Sequence, residues 1–77
     1  MNLKEHYKWK EYINLPLIEL IKEYETWIDD IAKEEISYKI YQYYLKHKCL
    51  TVKQKEQIVA KLVDLYVIYD LDEGMVI

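Results

Sequence analysis

The stretch Ile36–Lys48, ISYKIYQYYLKHK, decides the fold class. Its first residues alternate: Ile36, Tyr38 and Ile40 are apolar, and Ser37 and Lys39 between them are polar. A half-buried strand has that period, and Tyr and Ile favour strands. Turned through about 100° per residue, the same residues form a helix with two apolar sides. Ile36, Ile40, Tyr43 and His47 lie on one, and Tyr38, Tyr41 and Leu45 on the other. Two arguments select the helix. Asp29, Asp30, Glu34 and Glu35 precede the stretch and Lys46, His47 and Lys48 close it, the polarity that a helix dipole favours. No neighbouring stretch reads as a strand, and a lone strand leaves its backbone donors and acceptors without partners. A helix is therefore expected over about 35–48.

The flanking segments support an all-α chain. N-terminal to it, Leu17, Leu20, Ile21, Tyr24, Trp27, Ile28 and Ile31 share one arc, with Glu19, Lys22, Glu23, Thr26, Asp29 and Asp30 opposite. That is an amphipathic helix with a wide apolar stripe. Pro16 suits its first turn, and Leu15 before the proline is pushed out of helical geometry. The expected span is 16–32, with a break from the next helix somewhere in 29–35. No Gly or Pro marks that break, so a single bent helix is the other option. C-terminal to it, Thr51-Val52-Lys53-Gln54 reads as a capping box. Ile58, Val59, Leu62, Val63, Leu65, Tyr66 and Tyr69 then share a face, and Lys53, Gln57, Lys61 and Asp64 the other, for a helix over about 52–70 that ends before Gly74. A short helix over about 3–13 completes the chain; Leu3 and Tyr7 pair there, while Trp9, Tyr12 and Ile13 spread over the other side. The expectation is one domain over 1–77, a small bundle of three long helices and a short one.

Composition narrows the function. The chain has 77 residues, 52% of them hydrophobic and 32% charged, with one Gly, one Pro and one Cys. All eleven basic residues are Lys, and there are nine Tyr, two Trp and no Phe. A domain this small buries only about 60% of its unfolded surface, so either its core is dense or a partner completes it. Nine tyrosines are more than such a core hides with every hydroxyl satisfied. The single thiol, Cys49, excludes an internal disulfide and points to a reducing compartment, most simply the cytoplasm. The start, MNLKEHYKWK, lacks the apolar core of a signal peptide, and no stretch approaches a membrane span.

Chemistry-bearing sets are sparse. His47 and Cys49 stand two apart, which on a helix turns them in different directions, and no glycine turn accompanies them, so the chain reads as non-enzymatic. Two His and one Cys are too few for a closed zinc site. Asp70-Leu71-Asp72-Glu73-Gly74 begins like a calcium loop, but its glycine comes one position early. No cofactor or metal is expected.

Charge, in contrast, is strongly patterned. Residues 1–15 carry a net +1, residues 16–37 a net −5, residues 38–63 a net +5 and residues 64–77 a net −4, which leaves the overall −3. Alternating blocks of this kind can simply face each other in an up-down bundle, each pair contributing little in water. As a surface, Glu19, Glu23, Asp29, Asp30 and Glu34, with Glu35, form an acidic face for a basic partner. The Tyr38–Tyr41–Leu45 stripe, extended by Tyr43 and Tyr44, offers a second surface of the aromatic kind that binding sites favour, and self-association through it as a homodimer is expected. The functional expectation is a protein that binds another protein, as an inhibitor or regulator. In size, acidity and tyrosine content it is similar in style to phage inhibitors, immunity proteins and antitoxins. The alternative is a small DNA-binding regulator using residues 46–61, with Lys53, Gln54, Gln57 and Lys61 on the reading helix. Nucleic acid is the weaker expectation, because the chain is acidic and has no Arg to read guanine.

Overall fold

The computed structural model describes residues 3–69 (for Leu3, the backbone only) and is helical throughout, with no strand among the described residues. Helix α1 spans Tyr7–Ile13, α2 Leu17–Glu25, α3 Ile36–His47 and α4 Val52–Ile68; 3-10 turns at Leu3–Glu5 and Ile28–Asp30 precede α1 and follow α2. The expectations placed on Asp70–Gly74, and the C-terminal end of the 52–70 helix, lie outside the described residues.

Two expected helices are shorter than their patterns. The 3–13 segment breaks at His6, whose extended backbone and Nδ1 cap α1 by accepting from the Lys8 N–H at 3.1 Å. The 16–32 segment stops at Glu25. Thr26 Oγ1 donates to the Glu23 carbonyl at 2.7 Å, which competes with the helical ladder. The chain then tightens into the Ile28–Asp30 turn and becomes extended at Ile31. Helices α2 and α3 are therefore separate. Ile31 is still buried: the apolar stripe continues after the helix that began it has ended.

The α3–α4 junction is a four-residue turn. Lys48 adopts left-handed geometry (φ 59°) and donates its N–H to the Tyr44 carbonyl at 2.7 Å. A glycine usually takes this role. Thr51 and Gln54 form the expected capping box, with both reciprocal hydrogen bonds present at 3.1 and 2.8 Å.

The core sits on α4. Ile58, Val59, Leu62, Val63 and Leu65 are all buried, and they cover so wide an arc that α1, α2 and α3 each pack on this one helix. A helix with so broad an apolar arc offers a platform to several neighbours at once. The outer helices contribute Tyr12, Leu20 and Tyr24 to the same cluster, and the α2–α3 connection contributes Ile31.

The middle helix is placed differently from its sequence reading. Its two apolar sides are not two interfaces. They flank a single buried line that runs between them through Ser37 and Tyr44. Ser37 is buried because its hydroxyl meets the Tyr24 phenol at 3.0 Å.

Candidate protein-binding surface

The residues expected to bind a partner separate into three groups. Tyr44 is buried, and Tyr38 and Tyr41 are half-buried against the core. Tyr41 packs its ring 5.3 Å from that of Tyr24 and 5.9 Å from that of Tyr38. Its hydroxyl donates to Glu25 Oε2 at 2.8 Å. Leu45 and, in the extension of the stripe, Tyr43 are exposed. The stripe is thus partly taken up by the chain's own core: of the surface expected through Tyr38, Tyr41, Tyr44 and Leu45, Tyr44 is buried and Tyr38 and Tyr41 are half-covered. The physical reason is the Ser37 position: a polar residue marks the middle of the inward face, so the stripe read from apolar residues alone is turned too far.

Burial, the Glu25 hydrogen bond and the Glu25 charge together push the Tyr41 hydroxyl from 10.0 up to about 12. The folded-state value lies above the unfolded one, so the stabilisation from this contact is complete below pH ~10 and is lost as pH rises toward 12. Glu25→Gln removes the charge and is expected to bring the Tyr41 titration back toward 10. Phenolate absorbance measured on the Tyr41→Phe difference spectrum checks this.

The acidic residues form the second group. Asp29, Asp30 and Glu34 are exposed on the connection between α2 and α3. Glu35 instead accepts from Lys61 at 2.9 Å, the one ion pair between the acidic and basic blocks among the described residues. Glu19 and Glu23 stand one turn apart on α2 and line a cleft of about 390 Å³ together with Lys8, Glu11, Tyr12 and Leu15.

Lys8 is the only cation of that cleft, and it is occupied. Its ammonium lies 4.9 Å from the centre of the Tyr12 ring and 4.8 Å from that of Tyr66, and it is hydrogen-bonded to Glu11. Burial works against its charged form, but the Glu11 hydrogen bond and the neighbouring Tyr12, Glu11 and Tyr66 outweigh it and hold the Lys8 pKa above its ordinary value. Tyr12 is raised as well, by burial first; Lys8 opposes the shift and Glu23 adds to it. Glu19 and Glu23 remain on the rim. The nearest cation to Glu19 is Lys22, at a loose 4.0 Å. The cleft therefore has an apolar floor (Tyr12, Leu15) beneath a carboxylate rim. The involvement of Glu11, Tyr12 and Leu15 was not legible in the sequence, because Glu11 and Tyr12 belong to a helix whose pattern is weak and Leu15 to the connection that follows it.

The third group bears on nucleic acid. Of the four side chains expected to read DNA, the Gln54 amide is used in the cap and Lys61 is paired with Glu35. Lys55 donates to the Leu15 carbonyl at 3.2 Å. Lys53 and Gln57 are exposed. The helix that would enter a groove is also the one on which all the others pack.

His47 stacks against Tyr43 with ring centres 4.2 Å apart, and Cys49 is an exposed free thiol. Among the described residues no three His, Cys, Asp or Glu side chains gather closely enough to hold a metal ion, and no helix is long and apolar enough to cross a membrane. No family model matches the chain, and comparison with curated proteins and with solved structures likewise finds no match.

Proposed function

We propose that this chain acts by binding another protein, as an inhibitor or regulator, and that the α1–α2 cleft and the acidic side of α2 receive a basic segment of that partner. The observation that carries the reading is the cleft itself: Glu19 and Glu23 on the rim, Tyr12 and Leu15 below, and the one resident cation already held by Glu11 and two tyrosine faces. A lysine or arginine from a partner fits this arrangement, with its aliphatic stem on the apolar floor and its charged head between the carboxylates. Asp29, Asp30 and Glu34, exposed nearby in sequence, extend the negative field that would steer such a partner and speed its association.

The test is a binding measurement with paired variants. A partner recovered with the tagged chain and identified by mass spectrometry should be lost, by about tenfold or more in affinity, on Glu19→Lys with Glu23→Lys. It should be retained on Lys53→Glu with Gln57→Glu. The reverse pattern, with binding to duplex DNA that falls steeply with salt, would replace this reading by the DNA-binding one.

A further inference from the structure

We infer that a second copy of this chain docks antiparallel along a flank of α3, through a seam that shares with the tyrosine stripe only its extension at Tyr43. Ile36, Ile40, Tyr43 and His47 follow one another at spacings of four, three and four. On a helix that spacing makes a single straight row, the pattern by which two helices pack side by side. The buried line through Ser37 and Tyr44 lies to one side of this row; of its members only Ile40 is half-buried against the core, and Ile36, Tyr43 and His47 are exposed. Ile36 is 65% exposed and Tyr43 42% exposed. His47, also exposed, extends the Tyr43 ring into one aromatic surface.

Charge selects the occupant and its direction. The start of α3 is acidic at exposed Glu34, and Asp64 of α4 lies beside Ile36; Glu35 there already holds Lys61. The end is basic, with exposed Lys46 and Lys48 around His47. A parallel pair would set like charges against each other. An antiparallel pair sets each acidic end against a basic end twice over, as a two-fold axis requires, and opposes the two helix dipoles. In the register that puts Ile40 against Tyr43 of the second copy, Ile36 meets the other His47, and Glu35 meets the other Lys48. A groove of about 240 Å³ lies at that point, bounded by Glu35, Ile36, Gln57, Ala60, Lys61 and Asp64. It has room for the incoming imidazole and an acid, Asp64, in its wall. The seam is only about 18 Å long, so the association is of modest strength and depends on concentration.

Sedimentation equilibrium from micromolar to millimolar chain tests this. The wild type should move from monomer to dimer over that range. Ile36→Asp and Tyr43→Asp, both at exposed positions, should each weaken association by about tenfold or more with helical circular dichroism unchanged. Direction is tested in a Cys49→Ser background with a short bifunctional thiol reagent. A mixture of Ile36→Cys and His47→Cys chains should cross-link predominantly to each other. A chain that is monomeric throughout, variants that associate like wild type, or preferential cross-linking of Ile36→Cys chains to one another would each overturn the inference. None of these outcomes depends on the α1–α2 cleft.

Discussion

Leu62→Ala is expected to destabilise the chain by about 2–5 kcal/mol, whereas Leu45→Ala should cost only a few tenths of a kcal/mol. Both remove the same atoms from a leucine near the middle or end of a helix. Leu62 is 1% exposed on α4, and Leu45 is 45% exposed on α3. Truncating Leu62 leaves a cavity among Ile58, Val59 and the outer helices, which relax only partly because each packs on α4. A domain of this kind has about 5–15 kcal/mol of stability in total, so Leu62→Ala removes a large share of it. Denaturant melts followed by circular dichroism give both values. Similar costs at the two positions would mean that α4 is not the hub.

Ser37→Ala is the second large effect, about 1–3 kcal/mol. Tyr24 is fully buried, and its phenol has the Ser37 hydroxyl as its partner at 3.0 Å. Burial raises the Tyr24 pKa, with the Ser37 hydrogen bond opposing and Glu35 and Tyr38 adding to the shift. A phenol buried this deeply needs a hydrogen-bond partner. Removing Ser37 leaves a buried hydroxyl unpaired, which is worse than removing both groups. The double variant Tyr24→Phe with Ser37→Ala should accordingly be more stable than Ser37→Ala alone. The same melts decide it: a double variant less stable than the single one would show that the pair is not a coupled unit.

Ser37 also explains why the middle helix was harder to read than its neighbours. Periodicity finds a buried face by its apolar residues. On α2 and α4 most of those residues are buried or half-buried, with Tyr69 the exposed exception, and Leu20, Ile21, Tyr24, Ile58, Leu62 and Val63 lie where the pattern puts them. On α3 the inward line is a serine and a tyrosine. A serine becomes a core residue only when a partner 13 positions away brings a phenol to it. The tyrosines behave in the same way. Tyr12, Tyr24 and Tyr44 are buried and the rest are at least partly exposed. Among the described residues no buried side-chain polar atom lacks a hydrogen-bond partner. Glu25, Ser37 and Tyr66 supply partners for the phenols of Tyr41, Tyr24 and Tyr7.

Of the binding surface, the acidic half was legible and the cleft was not. Glu19, Glu23, Asp29, Asp30 and Glu34 stand out as a charge block in one segment. Glu11, Tyr12 and Leu15 come from another segment, and only the packing of α1 beside α2 against α4 places them below the carboxylates.

The sequence by itself determined that the chain is helical, where its strongest cap lies, and which faces of α2 and α4 are buried. Those properties follow from neighbours one to four residues apart, which local backbone geometry brings together. Which helix is central, where α2 stops, and which way α3 is turned were decided by the tertiary structure. Each depends on groups distant in sequence: Tyr24 on Ser37, Lys61 on Glu35, and three helices sharing the wide apolar arc of a fourth. Periodicity measures how apolar a face is. Whether that face meets the core or solvent depends on how much of it the rest of the chain covers.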